Sequence, residues 1–125
     1  MKKFLLSLPF FMAVIAVSWL SSQPQGPVRT DFFPMMDKVM HFSGFFILGT
    51  LFQVFILTNF PGIKKMKILT AVILFGILFG LIDEWHQSFV PGRDADFFDW
   101  LADTLGSTFS IVLYPIIKKY INKIL

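Results

Sequence analysis

Apolar residues fall into four long stretches separated by short polar segments. Phe4 to Leu20 is broken only by Ser7, Pro9 and Ser18, and Met40 to Phe60 carries His41, Gln53 and a few small polar residues. Ile68 to Ile82 is apolar apart from Thr70 and two glycines, and Trp100 to Ile117 is mostly apolar but contains Asp103. A helix that crosses a membrane needs about 20 residues, within a range of roughly 17 to 25. The third stretch reaches that length when Met66, Lys67 and the Asp83-Glu84-Trp85 end belong to the same helix. Lipid offers no partner to a backbone N–H or C=O, so the crossing segments must be helices rather than open strands. The pattern predicts an all-α integral membrane bundle of four transmembrane helices, at about residues 4–20, 40–60, 66–85 and 99–117, in a single domain over residues 1–125.

Composition agrees. The chain has 125 residues, enough for one domain, and 55% of them are hydrophobic while 15% are charged, against about 25% charged in a typical soluble domain. Seventeen phenylalanines are more apolar bulk than so small a soluble core can hide, which excludes a soluble monomer. With no cysteine, neither a disulfide framework nor a thiolate metal site can form. The sequence pI of about 9.3 invites a nucleic-acid reading. The placement of the charges answers it. Lys2, Lys3, Lys64, Lys65, Lys67, Lys118, Lys119 and Lys123 occupy one set of ends and loops with no acid among them, while all eight carboxylates lie on the other side with Arg29, Lys38 and Arg93. The positive-inside rule then puts both termini in the cytoplasm, in a multi-pass protein of the cell membrane. The lysines serve orientation and contact with anionic lipid, so no nucleic-acid partner is expected and the bilayer is the first partner.

Residues 1–22 share features with a cleavable signal peptide, namely two lysines, an apolar run and small residues near Ser18 to Ser22. The run of 17 apolar-dominated residues exceeds the roughly 7 to 15 of such a segment, and no clean A-x-A site follows. A retained first helix is the expectation. The two outer segments, Ser21 to Val39 and Asp83 to Asp99, are rich in Pro, Gly and Asp, as turns are. The short Pro61 to Lys67 link predicts a tight hairpin of the second and third helices. Gly76-x-x-x-Gly80 lets another helix approach closely, within the chain or, as the alternative, in a homo-oligomer.

The residues able to carry chemistry gather at the outer ends of the last three helices: Asp37, Lys38 and His41; Asp83, Glu84, His86 and Gln87; then Arg93, Asp99 and Asp103. At 1.5 Å per residue, Asp103 lies roughly 22 Å along its helix from Lys118, and Glu84 roughly 25 Å from Lys67. Against a hydrocarbon core of about 30 Å, both acids sit at or below the interface, where ionisable groups need a partner or a wet cavity. Asp37 and His41, Glu84 and Gln87, and Asp99 and Asp103 each share a helix face. Two helix N-termini point into the same region and favour anions, as do Lys38 and Arg93. A pocket for a phosphate, pyrophosphate or carboxylate is one reading. The plainer reading is an ion-pair cluster in which Arg93 bridges Glu84 or Asp99 and His41 is an interhelical hydrogen-bonder. His86 reads as a surface residue, Asp31, Asp94 and Asp96 as solvated loop charges, and Trp85 and Trp100 as interfacial anchors.

Asp37-Lys38-x-x-His41-Phe42, then Glu84-x-x-Gln87-x-Phe89-x-Pro91-Gly92-Arg93, then Asp99-Trp100-Leu101-Ala102-Asp103-x-Leu105-Gly106 resembles the VanZ-like membrane protein family. Ser21-Ser22-Gln23-Pro24 after the first helix fits as well, and the likeness covers essentially the whole chain. One departure is Asp103, where the family often has Asn. The resemblance implies a role in the cell envelope, since the family takes its name from a protein linked to teicoplanin resistance in Gram-positive bacteria. It carries Lys38, His41, Glu84, Gln87, Arg93, Asp99 and Asp103 over as the shared ligand-binding positions.

Three functions compete on these residues. The first is recognition of an anionic, lipid-linked or peptidoglycan-related headgroup that lowers glycopeptide susceptibility. The second is an integral membrane enzyme acting on a lipid-linked phosphate, with His41, Glu84 or Asp103 as the catalytic candidates. No activated nucleophile accompanies them. A divalent ion on His41, Glu84, Asp99 and Asp103 is chemically reasonable, but no local metal signature exists, so neither a metal site nor a cofactor is expected. The third, a small transporter, is disfavoured because no polar stripe runs through the middles of the first and third helices.

Overall fold

The computed structural model describes residues 1–24 and 35–125, all of them helical or connecting, with no strand among the described residues. Arg29 and Asp31, both assigned above to the outer side, lie outside the described residues. Five α-helices follow one another: α1 (Lys2–Ser21), α2 (Met36–Asn59), α3 (Lys65–Gln87), α4 (Phe97–Phe109) and α5 (Tyr114–Ile124). The first three, and the combined Phe97–Ile124 segment, are the four stretches long and apolar enough to cross a membrane. The expected second helix starts four residues earlier than predicted, so Asp37 and Lys38 belong to α2 rather than to a loop.

The fourth span is not the single α-helix that its hydropathy predicts. A 3-10 turn over Ser110–Leu113 divides it. Pro115 is the cause, because it has no N–H to donate and its ring crowds the carbonyl four residues back. The chain tightens before it, and the Tyr114 N–H bonds to Ile111 O in an i to i−3 contact.

The bundle is apolar outside and polar within. Ile15, Leu78 and Phe109 are 69, 57 and 60% exposed, whereas Gln53, Asp103, Ser107 and Ser110 are fully buried. That inversion suits a chain whose solvent is lipid, where polar side chains hold helices together instead of facing outward. Gln53 Nε2 on α2 donates to Ser110 O at 3.0 Å and to its Oγ at 3.1 Å. Ser107 Oγ on α4 donates to Val72 O on α3 at 2.9 Å. Near the lysine-rich end, Ile56, Ile68, Val72 and Tyr114 form the buried apolar cluster.

α4 is the central element. It packs along both α2 and α3, and α1 lies mainly along α2. The link between α2 and α3 is short, as expected, yet α4 is the main packing partner of each. Small residues make this approach feasible. A Cβ placed on Gly76 would stand 2.6 Å from Ser107 Cβ, and one on Gly80 3.1 Å from Asp103 Cβ. Gly76-x-x-x-Gly80 is thus used inside the chain, against α4. Trp100 follows the same seam: its indole Nε1 donates to Ile77 O at 3.0 Å, which makes it a packing residue between α4 and α3. Trp100→Phe is expected to lower stability by about 1 kcal/mol through loss of that bond, read as an earlier unfolding midpoint in detergent. Lys2 Nζ donates to Ile124 O at 3.3 Å, which places both chain ends at the same end of the bundle.

Candidate functional site

At the opposite end, α1, α2, α3 and α4 bring one set of polar side chains together. His41 on α2 is the hub. Its Nδ1 donates to Asp103 Oδ1 on α4 at 2.9 Å and lies 3.9 Å from Glu84 Oε1 on α3. Its Nε2 lies 3.7 Å from Asp99 Oδ2 and 4.0 Å from Asp37 Oδ1. The imidazole is bonded between helices, as the plainer reading of the sequence has it, and faces four carboxylates at once.

Lys38 forms a second node. Its Nζ lies 2.5 Å from Asp99 Oδ1, 2.6 Å from Asp96 Oδ2 and 3.5 Å from Asp37 Oδ2. The ammonium is therefore occupied by acids of its own chain, and an incoming anion meets no open lysine there. Asp96, read above as a solvated loop charge, is a working part of the cluster. Beyond its pairing with Lys38, its Oδ1 accepts from the Phe98 N–H at 2.8 Å and caps α4. The signal available in the sequence was an Asp just ahead of an apolar helical run.

Glu84 joins two helices. Its Oε2 accepts from the Asp96 N–H at 2.8 Å, which ties the end of α3 to the start of α4. Asp83, named above but not placed in the site, is buried beside it: Ser21 Oγ donates to its Oδ1 at 2.5 Å and Gln87 Nε2 to its Oδ2 at 2.8 Å. The i, i+4 spacing of Asp83 and Gln87 could have flagged this pair; the contribution of Ser21 from α1 had no local signal. Two buried carboxylate oxygens, Glu84 Oε1 and Asp103 Oδ2, lack a hydrogen-bond partner, whereas Asp99 Oδ1 is held by the Lys38 ammonium.

Of the seven positions predicted for the site, Lys38, His41, Glu84, Gln87, Asp99 and Asp103 converge. Arg93 does not join them. It lies half-buried in the turn between α3 and α4, and its guanidinium makes no ion pair with Glu84 or Asp99, so the predicted bridge is not formed. The turn is instead closed by the Arg93 backbone N–H on Val90 O at 3.1 Å. His86 is half-buried, with Nε2 3.3 Å from Ser22 Oγ, and takes no part in the cluster.

Asp96 precedes the span, and its carboxyl is held below the ordinary carboxylate range, first by the hydrogen bond from Lys38 and then by the Phe98 N–H. A folded-state pKa lowered in this way gives stability that is present above the unfolded value and lost as pH falls through the folded one. The unfolding midpoint in detergent is expected to drop between about pH 5 and about pH 3. Asp96→Asn should show a smaller drop, and equal drops in the two proteins would refute this role.

A family model described as VanZ/LLP1 matches residues 2–118. Uncharacterized protein C11E3.10 of Schizosaccharomyces pombe is similar, with 32% identity over 105 residues that cover 83% of this chain and 59% of the yeast protein. The chain thus spans about three-fifths of the length of that curated relative. No solved structure matches the chain.

Proposed function

We propose that this chain, which belongs to the VanZ/LLP1 family, is a cell-envelope membrane protein that engages the anionic headgroup of a lipid-linked or peptidoglycan-related molecule and lowers susceptibility to glycopeptides such as teicoplanin. In this reading both chain ends are cytoplasmic and the cluster faces the outer leaflet, as the lysine distribution favours. The observation that carries the proposal is the set of buried carboxylate oxygens without a partner, gathered with His41 at one end of an otherwise apolar bundle. Ionisable groups at such a depth are costly to maintain and mark sites of function more often than of packing. Charge balance sets how an anion is held. Asp37, Asp83, Glu84, Asp96, Asp99 and Asp103 outnumber Lys38 and His41, so a bare phosphate is repelled. The headgroup docks through a cation shared with those acids.

Expression of the chain in a glycopeptide-sensitive host tests the proposal. Tolerance should rise with the wild type and fall back to the vector level with Glu84→Ala. Equal susceptibility of vector and wild-type cells would contradict it.

An enzymatic reading is favoured by one contact, the 2.9 Å bond from His41 Nδ1 to Asp103. A carboxylate that fixes an imidazole in this way orients its Nε2 for proton transfer. Purified protein that releases phosphate from a lipid-linked pyrophosphate, with activity lost in His41→Gln, would establish it; no release from such substrates would remove it.

A further inference from the structure

The acids of the cluster divide into two sets about His41. On the Nε2 side are Asp37 and Asp99, and with Asp96 they share a fixed cation, the Lys38 ammonium. On the Nδ1 side are Asp83, Glu84 and Asp103. One ligand atom from each of these three and one from His41 all lie within 4.8 Å of one another. Among the described residues no lysine or arginine pairs with this second set.

Burial makes that arrangement demanding. Asp83, Glu84 and Asp103 are 5, 6 and 0% exposed. Asp83 is satisfied by Ser21 and Gln87, but Glu84 Oε1 and Asp103 Oδ2 are shut off from water with no partner at all. Carboxylates crowded together in a low dielectric repel one another unless a cation or protons neutralise them. One set has its cation built in. The other has only the imidazole, which is itself a metal-ligating group.

We propose that His41, Asp83, Glu84 and Asp103 form a binding site for one first-row divalent cation of the Mn2+ or Zn2+ kind. An imidazole with carboxylates suits these ions, whereas Mg2+ and Ca2+ favour all-oxygen surroundings. Ligand atoms stand roughly 2.1 Å from such an ion, so side-chain rotation draws the four groups inward. Ser21 and Gln87 act behind Asp83 as outer partners that fix its carboxylate. The ion ties α2, α3 and α4 together at the end of the bundle where their like charges meet. This inference stands on ligand geometry alone. The headgroup reading needs a cation here, but the cation site does not need a headgroup.

The test uses the full chain in detergent, stripped with chelator and titrated with MnCl2 alone, then with ZnCl2 in competition. One Mn2+ per chain is expected, displaced by Zn2+. Asp103→Asn and Glu84→Gln should each weaken binding by more than the roughly 10- to 100-fold that loss of an outer partner costs. Circular dichroism establishes that both variants remain helical. Should they not fold, electron spin-echo spectra of Mn2+-loaded wild type decide: 14N modulation from one imidazole is expected, and it should persist in His86→Gln, which removes the other of the two histidines. A wild type that takes up neither ion saturably would overturn the proposal and leave protons as the neutralising charge. Binding that survives both Asp103→Asn and Glu84→Gln, or 14N modulation that is absent or vanishes in His86→Gln, would overturn it as well.

Discussion

Gly106→Ala is expected to lower the stability of the bundle by about 3 kcal/mol, since among the described glycines an added Cβ comes nearest to another helix's backbone there. A Cβ at Gly106 would collide with the backbone carbonyl of Phe42 on α2, and no rotation relieves a clash with backbone. α2 and α4 share the most extensive contact in the fold, so they would have to separate along a seam that also carries the Gln53–Ser110 bonds. Gly44 is the control. It lies in α2, where a Cβ meets nothing within 4 Å. Gly44→Ala should therefore be neutral, or raise stability by up to about 1 kcal/mol through helix propensity. Unfolding midpoints in mixed detergent measure both. A Gly106→Ala protein as stable as Gly44→Ala would show that α2 and α4 are not packed as described.

His41→Leu is expected to cost about 3 to 5 kcal/mol when measured in chelator, because it leaves Asp103 buried opposite Glu84 with its hydrogen-bond partner gone. The charge that remains does the damage, more than the bond that is lost. Asp103→Asn removes that charge and keeps a polar group beside His41, so its cost should stay near 1 kcal/mol. The double variant His41→Leu/Asp103→Asn should then be more stable than His41→Leu alone, a sign opposite to simple addition. Additive losses would mean that the two side chains do not interact.

Much of this architecture was legible in the chain. Four apolar stretches gave four spans, since hydropathy and length are what lipid selects for. The gathering of polar residues at one end was legible from the ends of the spans, and shared helix faces linked Glu84 with Gln87 and Asp99 with Asp103. The set of seven site positions, six of which converge, came from the family resemblance. Pairing across helices was not legible. Lys38 and Arg93 look equivalent as basic residues at the same end, yet Lys38 projects from α2 toward the start of α4 and meets three acids, whereas Arg93 sits in a turn and meets none of the cluster. Asp96 looked like a loop charge because capping depends on where α4 begins, and helix ends are the weakest part of any pattern. The break at Ser110–Leu113 was signalled by Pro115, but hydropathy is blind to a proline inside an apolar run. Ser21 was invisible as a partner of Asp83 because nothing local in the sequence says which face α1 presents to α3.

The headgroup reading meets its most direct test in native mass spectrometry of the full chain, extracted gently from its own membrane, as wild type and as Glu84→Gln. A phosphate-bearing lipid or lipid-linked molecule should travel with the wild type and be lost from Glu84→Gln while the variant remains folded. A wild type that carries no such molecule, or one retained equally by Glu84→Gln, would contradict it.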